Sequence, residues 1–304
     1  MKRLLNIILM LCAIAASCSS CVIRRVFTAE KGESSISPEA IMESCHPDGI
    51  IEDIFHDCSN PGPSKRRLLV YLPADYYRTD KSYPVVYLLH GARGNESSWI
   101  DRGNMIAIVD SLRRDGLMEE SIIVLPNMNQ YDTDEEGLNS TFKSPVNAFL
   151  DTNGAVEEAF VRDVVDFVDT HYRTIADKAH RAIAGLSLGS MQSIFISAHE
   201  PDTFDYVGLF SPIFRAPVKN SLFSFFYEKP AVRKLQKIQF DQEHCPKVYA
   251  MMIGRMDCYF FHSEMYDMYL TRHKFPHQYI VTSGGHNWNN WDQYLYMFLQ
   301  MCFK

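Results

Sequence analysis

The chain has 304 residues, with 30 lysines and arginines against 37 aspartates and glutamates, a formal charge of −7. That balance, without a basic cluster or any interleaving of basic and aromatic residues, argues against nucleic acid as a partner. An apolar fraction of 46% and a charged fraction of 22% suit one large buried core, and α/β folds of this length are routinely single domains.

Met1-Lys2-Arg3 is a positive start, and Leu4 to Ala16 is an apolar run too short to cross a membrane. Residues 1–17 are therefore expected to be a signal peptide. Ala15-Ala16-Ser17 stand directly before Cys18, which resembles the lipobox of bacterial lipoproteins. Cleavage before Cys18 and acylation of its thiol would leave the protein exported and held at a membrane through lipid only. Cys21 is a second candidate for the lipid, and plain secretion with cleavage near Ala16 or Ser17 is the alternative. Residues 18–44 are polar and lack strong periodicity, as expected of a tether, which assigns the folded domain to 45–304.

Within that domain, apolar runs predict strands over Arg66–Leu72, Tyr83–Leu89, Ile122–Leu125, Arg181–Ala184, Tyr206–Phe210, Lys247–Ile253 and Gln278–Val281. Helices are predicted over Asn104–Arg114, Val156–His171, Leu188–His199, Phe260–His273 and Trp288–Met301. Such alternation predicts an α/β fold, a mostly parallel sheet with helices on both faces. Two long connections, Asn127–Gly154 and Ser211–Gln242, follow strands on the side where open α/β sheets carry their sites. They are expected to wall a pocket. The second holds Phe214, Phe223, Phe225, Phe226 and Tyr227, which suit either a local core or a lid over an aromatic acyl group.

Gly185-Leu186-Ser187-Leu188-Gly189 lies between a predicted strand and a predicted helix. A serine at so sharp a turn needs small residues two positions away on each side. The alternative is a glycine-bordered turn whose serine caps the next helix. Asp257 and His286 then follow the last two predicted strands, Lys247–Ile253 and Gln278–Val281, in the chain order Ser, Asp, His of an α/β-hydrolase triad. The chemistry needs all three, because the hydroxyl is a weak nucleophile, imidazole takes its proton, and a carboxylate fixes the tautomer. Asp257 also suits a turn or helix cap, with Glu264 and Asp267 as its nearest rivals. His286 also suits a loop histidine bonded to backbone. The N–H of Leu188 is expected to face a developing oxyanion. Upstream, His90-Gly91-Ala92 ends a central strand, and Gly91 or Ala92 is expected to give the second oxyanion N–H. His90 itself reads as a brace for that loop.

These pieces resemble the esterase D-like α/β-hydrolases, which include feruloyl and acetylxylan esterases, with relatives among siderophore esterases and S-formylglutathione hydrolases. The resemblance rests on Tyr87-Leu88-Leu89-His90-Gly91, Glu96-Ser97-Ser98-Trp99, Ala182 to Gly189, and Gly284-Gly285-His286-Asn287-Trp288 with Trp291. It covers roughly residues 65–304. Leu188, Ser190, Asn287 and Arg93 depart from residues common in the family, and none removes a catalytic group. The resemblance implies the α/β-hydrolase fold and a serine carboxylic-ester hydrolase that uses Ser187, Asp257 and His286 and no cofactor. It implies a small-molecule or oligosaccharide ester as substrate, with feruloyl or acetyl groups removed from plant polysaccharide fragments. Trp99 and Trp288 are candidate pocket walls by resemblance only. A siderophore or S-formylglutathione-type esterase, a peptidase or acyltransferase, and a binding module on the same fold are the alternatives.

No histidine or cysteine spacing suggests a metal site. Cys45 with Cys58, or Cys245 with Cys258, would each close a short loop worth about 3 kcal/mol in the chain-entropy model. A buried free thiol is the competing reading for Cys258.

Overall fold

A computed structural model of the chain describes residues 49–59, 65–129, 154–213 and 244–304. The expected signal peptide 1–17, the tether 18–44 and Cys18 lie outside the described residues, as do Cys21, Cys45 and most of both long connections, with Phe214, Phe223, Phe225, Phe226 and Tyr227. Among the described residues no helix is long and apolar enough to cross a membrane.

Eight strands form one sheet in the order β1-β2-β4-β3-β5-β6-β7-β8. They are β1 (Gly49–Asp57), β2 (Lys65–Pro73), β3 (Val85–Leu89), β4 (Ile122–Pro126), β5 (Arg181–Leu186), β6 (Tyr206–Phe210), β7 (Val248–Gly254) and β8 (Gln278–Thr282). The β1–β2 and β2–β4 pairs are antiparallel, and every pair from β4 to β8 is parallel. Buried on both faces, the central strands read as unbroken apolar runs such as Val85-Val86-Tyr87-Leu88-Leu89.

Alternate side chains of those strands feed two cores. Val85, Tyr87, Leu89 and Ile183 pack with Phe160, Ile194 and Leu270 on one face. Val86, Leu88, Ala182 and Ala184 pack with Ile108, Leu112, Leu295 and Phe298 on the other. The helices, in chain order, are α1 (Ser98–Asp101), α2 (Met105–Arg114), α3 (Ala155–Phe160), α4 (Asp166–His171), α5 (Leu188–His199), α6 (Phe260–Arg272) and α7 (Trp288–Leu299). The α/β-hydrolase arrangement expected from the sequence is the one observed.

Three differences have physical reasons. The edge strand β1 was not expected, because it is largely half-exposed and carries no period-two pattern. The four-residue α1 is too short to show helical periodicity. The single helix expected over 156–171 is two α segments joined by a π-helical turn at Val161–Val165, a one-turn widening that leaves the apolar stripe nearly in phase.

Candidate active site

The turn after β5 places Ser187 at φ 53° and ψ −114°, in the left-handed half of backbone space that non-glycine residues rarely adopt. Its glycine neighbours are required by contact. A Cβ on Gly185 would fall 2.4 Å from the Gly189 backbone, and one on Gly189 would fall 2.5 Å from the His90 carbonyl oxygen. Only bare backbone lets strand, turn and helix cross so closely. The strained residue is held by its N–H to the Phe210 carbonyl at 2.8 Å. Ser190, one of the departures from the family pattern, donates its hydroxyl to the Ser187 carbonyl at 2.6 Å.

His286 and Asp257 arrive from the carboxyl ends of β8 and β7. Asn287 caps α7 by accepting from the Asn290 N–H at 3.2 Å, so His286 lies immediately before a fixed helix start. Ser187 Oγ lies 3.0 Å from His286 Nε2, and His286 Nδ1 lies 3.1 and 3.0 Å from the two oxygens of Asp257. A carboxylate facing Nδ1 makes that nitrogen the donor, which leaves Nε2 to accept the serine proton. Asp257 is buried. Burial alone would raise its carboxyl, yet hydrogen bonds from His286, the Tyr259 N–H and Ser211 outweigh it and hold the group below the ordinary aspartate range.

Three neighbours of this arrangement were not assigned from sequence. Ser211 follows β6 at φ 53° and donates to Asp257 Oδ2 at 2.7 Å. The indole N–H of Trp291 in turn donates to Ser211 Oγ at 3.0 Å. The rings of Trp291 and Tyr259 meet the His286 imidazole edge-on, with centroids 4.9 and 5.1 Å away. Trp291 was visible in the family motif, but its partner lies 80 residues distant, and no local pattern marks Ser211.

The oxyanion side is built from two turns. Leu188 opens α5, so its N–H belongs to the first-turn donors that have no intrahelical acceptor. Gly91 lies beside it: a Cβ there would stand 2.4 Å from Leu186 Cδ1 and 3.5 Å from Ser187 Cβ. Ala92 follows in the same turn, which is closed by Gly94 N–H to the Gly91 carbonyl at 3.0 Å. His90 is buried. Its Nδ1 donates to the Gly91 carbonyl at 2.8 Å and its Nε2 accepts from the Met128 N–H at 3.0 Å. A ring that donates at one nitrogen and accepts at the other is neutral, as a structural brace should be.

The rivals for the acid are elsewhere. Glu264 is exposed on α6, and Asp267 bonds His277 Nε2 at 2.9 Å. Trp99 is corrected from pocket wall to core. It is 0% exposed, its indole N–H is held by the Leu89 carbonyl at 3.1 Å, and Phe210 and Trp288 pack edge-on against it. Helix α1 turns the side chain inward, away from solvent. Trp288 is half-buried against Trp99, Trp291 and Gly103. Among the described ring contacts, Trp291 and not Trp288 meets His286.

Cys58, Cys245, Cys258 and Cys302 are free thiols, so the Cys245–Cys258 bridge is not formed. Cys258 is also exposed rather than buried. Asp257, Cys258 and His286 bring ligand-type atoms within 4.8 Å of one another. The carboxylate and imidazole of that trio are already committed to each other.

The Esterase family model matches residues 59–300. An endo-1,4-β-xylanase/feruloyl esterase of Xylanibacter ruminicola is 35% identical over 147 residues, which is 47% of this chain and 19% of that protein. The chain thus spans about a fifth of that curated relative. A solved ferulic acid esterase superposes with a TM-score of 0.66 at 26% identity, covering 84% of this chain and 98% of the other. A ferulic acid esterase of Anaeromyces mucronatus in complex with ferulic acid superposes at 0.68 and 23% identity, over 90% and 98% of the two chains. With a strained serine, an imidazole and a carboxylate in line on an α/β-hydrolase sheet, and with a family match from residue 59 to residue 300, this chain belongs to the Esterase family.

Proposed function

We propose that the protein is a serine carboxylic-ester hydrolase that removes feruloyl or acetyl groups from plant polysaccharide fragments. One observation carries the reading, the unbroken line from Ser187 Oγ through His286 to Asp257. As His286 Nε2 takes the hydroxyl proton, Oγ bonds to the ester carbonyl carbon. The carbonyl oxygen becomes an oxyanion facing the N–H groups of Leu188 and of Gly91 or Ala92. Collapse breaks the bond to the alcohol, which leaves with the proton from Nε2. Water then attacks the acyl-enzyme, giving its proton to His286, and the acid departs as Oγ recovers that proton. Asp257 stays ionised throughout and stabilises the imidazolium.

The feruloyl and acetyl assignment is supported by the likeness to proteins described as feruloyl or ferulic acid esterases. The test is a comparison of methyl ferulate, p-nitrophenyl acetate, acetylated xylan and a triscatecholate siderophore ester at one pH, using wild type and Ser187→Ala. Loss of about six powers of ten in kcat is expected for Ser187→Ala, as for nucleophile removal in other hydrolases. A higher kcat/KM on the siderophore ester would overturn the polysaccharide assignment. Failure of a fluorophosphonate to label Ser187 would overturn the enzyme itself.

We also propose that the protein is exported and anchored by lipid at Cys18. Support comes from the charged start, the short apolar run and the small residues before that cysteine.

A further inference from the structure

The loops that carry Asp257 and His286 are fastened directly to each other. The Arg255 N–H donates to the Thr282 carbonyl at 2.9 Å and the Met256 N–H to the Gly284 carbonyl at 2.8 Å. A Cβ on Gly254 would fall 2.4 Å from that Gly284 oxygen, so only glycine lets the end of β7 lie so close to the loop after β8. The chain then turns through Asp257, whose N–H bonds the Gly254 carbonyl at 3.0 Å and whose carbonyl accepts from the Phe260 N–H at 3.0 Å as α6 begins. Cys258 is thereby held on a short turn beside the acid, and unlike the acid it is exposed.

A carboxylate oxygen of Asp257, the Cys258 sulfur and a nitrogen of His286 all lie within 4.8 Å of one another. The nitrogen is Nδ1, because it faces Asp257 at 3.0 Å while Nε2 meets Ser187 from the far side of the ring. No spacing in the sequence marks this trio, since His286 arrives from 29 positions beyond Asp257. Tetrahedral zinc, with bonds of about 2.0–2.3 Å to nitrogen, oxygen and sulfur, sets its donors about 3.3–3.6 Å apart. The carboxylate and imidazole already stand close to that spacing. The sulfur is the donor that must move, and it ends an exposed side chain able to turn about χ1.

Sulfur and nitrogen donors beside one carboxylate select a borderline-soft cation such as zinc over magnesium or calcium, which take oxygen. The charges also close, because one thiolate and one carboxylate neutralise a divalent ion. On binding, the thiol gives its proton to water. The exposed Cys258 and the His286 side chain, 23% exposed, give an ion its way in and leave room for water as a fourth ligand. Asp257 keeps its bonds from Ser211 and the Tyr259 N–H, which orient the carboxylate for an ion as they orient it for His286.

We propose that Asp257, Cys258 and His286 form a zinc-binding site that switches the hydrolase off. The effect on turnover rests on the serine-hydrolase reading above, whereas the binding does not. An ion on Nδ1 takes the place of the proton directed at Asp257, and that proton passes through water to Nε2. The imidazole then presents an N–H rather than a lone pair to Ser187 Oγ, so the hydroxyl proton has no acceptor. A wrong tautomer of this kind lowers turnover by about 10⁴-fold. When the ion leaves, the thiol recovers a proton from water and the imidazole proton returns to Nδ1, which makes the block reversible.

The test titrates Zn²⁺ against hydrolysis of p-nitrophenyl acetate by the full-length protein. Wild type is expected to lose activity, to regain it on addition of EDTA, and to be indifferent to the same concentration of Mg²⁺. Without metal, Cys258→Ser and Cys258→Ala should keep kcat/KM within about twofold of wild type, as exposed substitutions usually do. Both should need about a hundredfold more Zn²⁺ for half inhibition, since loss of even an outer-shell partner weakens metal binding by about 10–100-fold. Binding is read separately with Cd²⁺, from the ultraviolet charge-transfer band of its thiolate bond, taken as wild type minus Cys258→Ser because the chain holds other thiols. That band should persist in Ser187→Ala and titrate at least about tenfold more weakly in His286→Ala. Equal Zn²⁺ sensitivity of wild type and the Cys258 variants, no difference band, or a band indifferent to His286→Ala would each overturn the site. A wild type that stays active with the band saturated would overturn the switch. A band that depends on His286 in a protein that cleaves no ester would keep the site and remove the esterase reading instead.

Discussion

Ser211 Oγ donates to Asp257 Oδ2 at 2.7 Å while accepting the indole proton of Trp291 at 3.0 Å. A hydroxyl with its acceptor role filled by Trp291 has its own proton directed at the carboxylate. The carboxylate thus receives donors from three sides, His286, the Tyr259 N–H and Ser211, and its orientation toward His286 is set before substrate arrives.

Ser211→Ala should therefore act through Asp257. Removing a hydrogen bond to an ionised group costs about 1.5–3 kcal/mol. Part of that is expected in stability and part as a fall of about tenfold in kcat with KM little changed. Trp291→Phe, which keeps a ring near His286 but loses the indole N–H, should give a smaller loss of the same kind. Full kcat in a folded Ser211→Ala enzyme would remove Ser211 from any positioning role.

Asp257→Asn should lower turnover by about 10⁴-fold through the wrong imidazole tautomer, whereas Glu264→Gln and Asp267→Asn should change it little. Stability carries a second signature. The carboxyl of Asp257 sits below its unfolded value of about 3.9. Its ionisation therefore stabilises the fold fully above that pH and ceases to do so as pH falls through the lower folded value. Melting curves from pH 7 downward should show wild type losing more stability than Asp257→Asn below about pH 4. Parallel curves would contradict the depressed carboxyl.

His90→Ala should strip the Met128 N–H of its partner, at a cost of about 1–3 kcal/mol for a group left buried without a bond, and should leave the Gly91 carbonyl only its bond from the Gly94 N–H. The oxyanion turn then loosens, and misplacement by about 1 Å can lower a rate about 10²-fold. Steady-state kinetics should show kcat falling with modest change in KM. A loss confined to KM would place the turn in substrate binding instead.

Cys18→Ala should move the protein from the membrane fraction to a soluble or unprocessed form. Fatty-acid labelling that persists in this variant would redirect the anchor to Cys21 or elsewhere.

What was legible in the sequence was what local chemistry must spell out. The elbow needs Gly185 and Gly189 because two backbones touch there, and the central strands need apolar residues on both faces. Asp257 and His286 were readable because each follows a strand at its carboxyl end. Ser211 was not, since its role depends on a contact with Asp257 across 46 positions. Trp99 shows the converse, nearness in sequence to the oxyanion turn without nearness to solvent, because α1 rotates the indole into the core. Strand β1 was missed for its half-exposed face.

Both long connections are pinned at their roots to the machinery they leave. Met128, two residues past β4, is tied to His90. Ser211, the residue after β6, is tied to Asp257, and Pro212 behind it accepts from the Ser263 hydroxyl at 3.0 Å. These staples tie the root of each connection to a different part of the hydrolytic machinery, one to the oxyanion turn and one to the acid, so a splice that exchanges either segment should fall beyond Asn129 or beyond Ile213 to leave both ties in place.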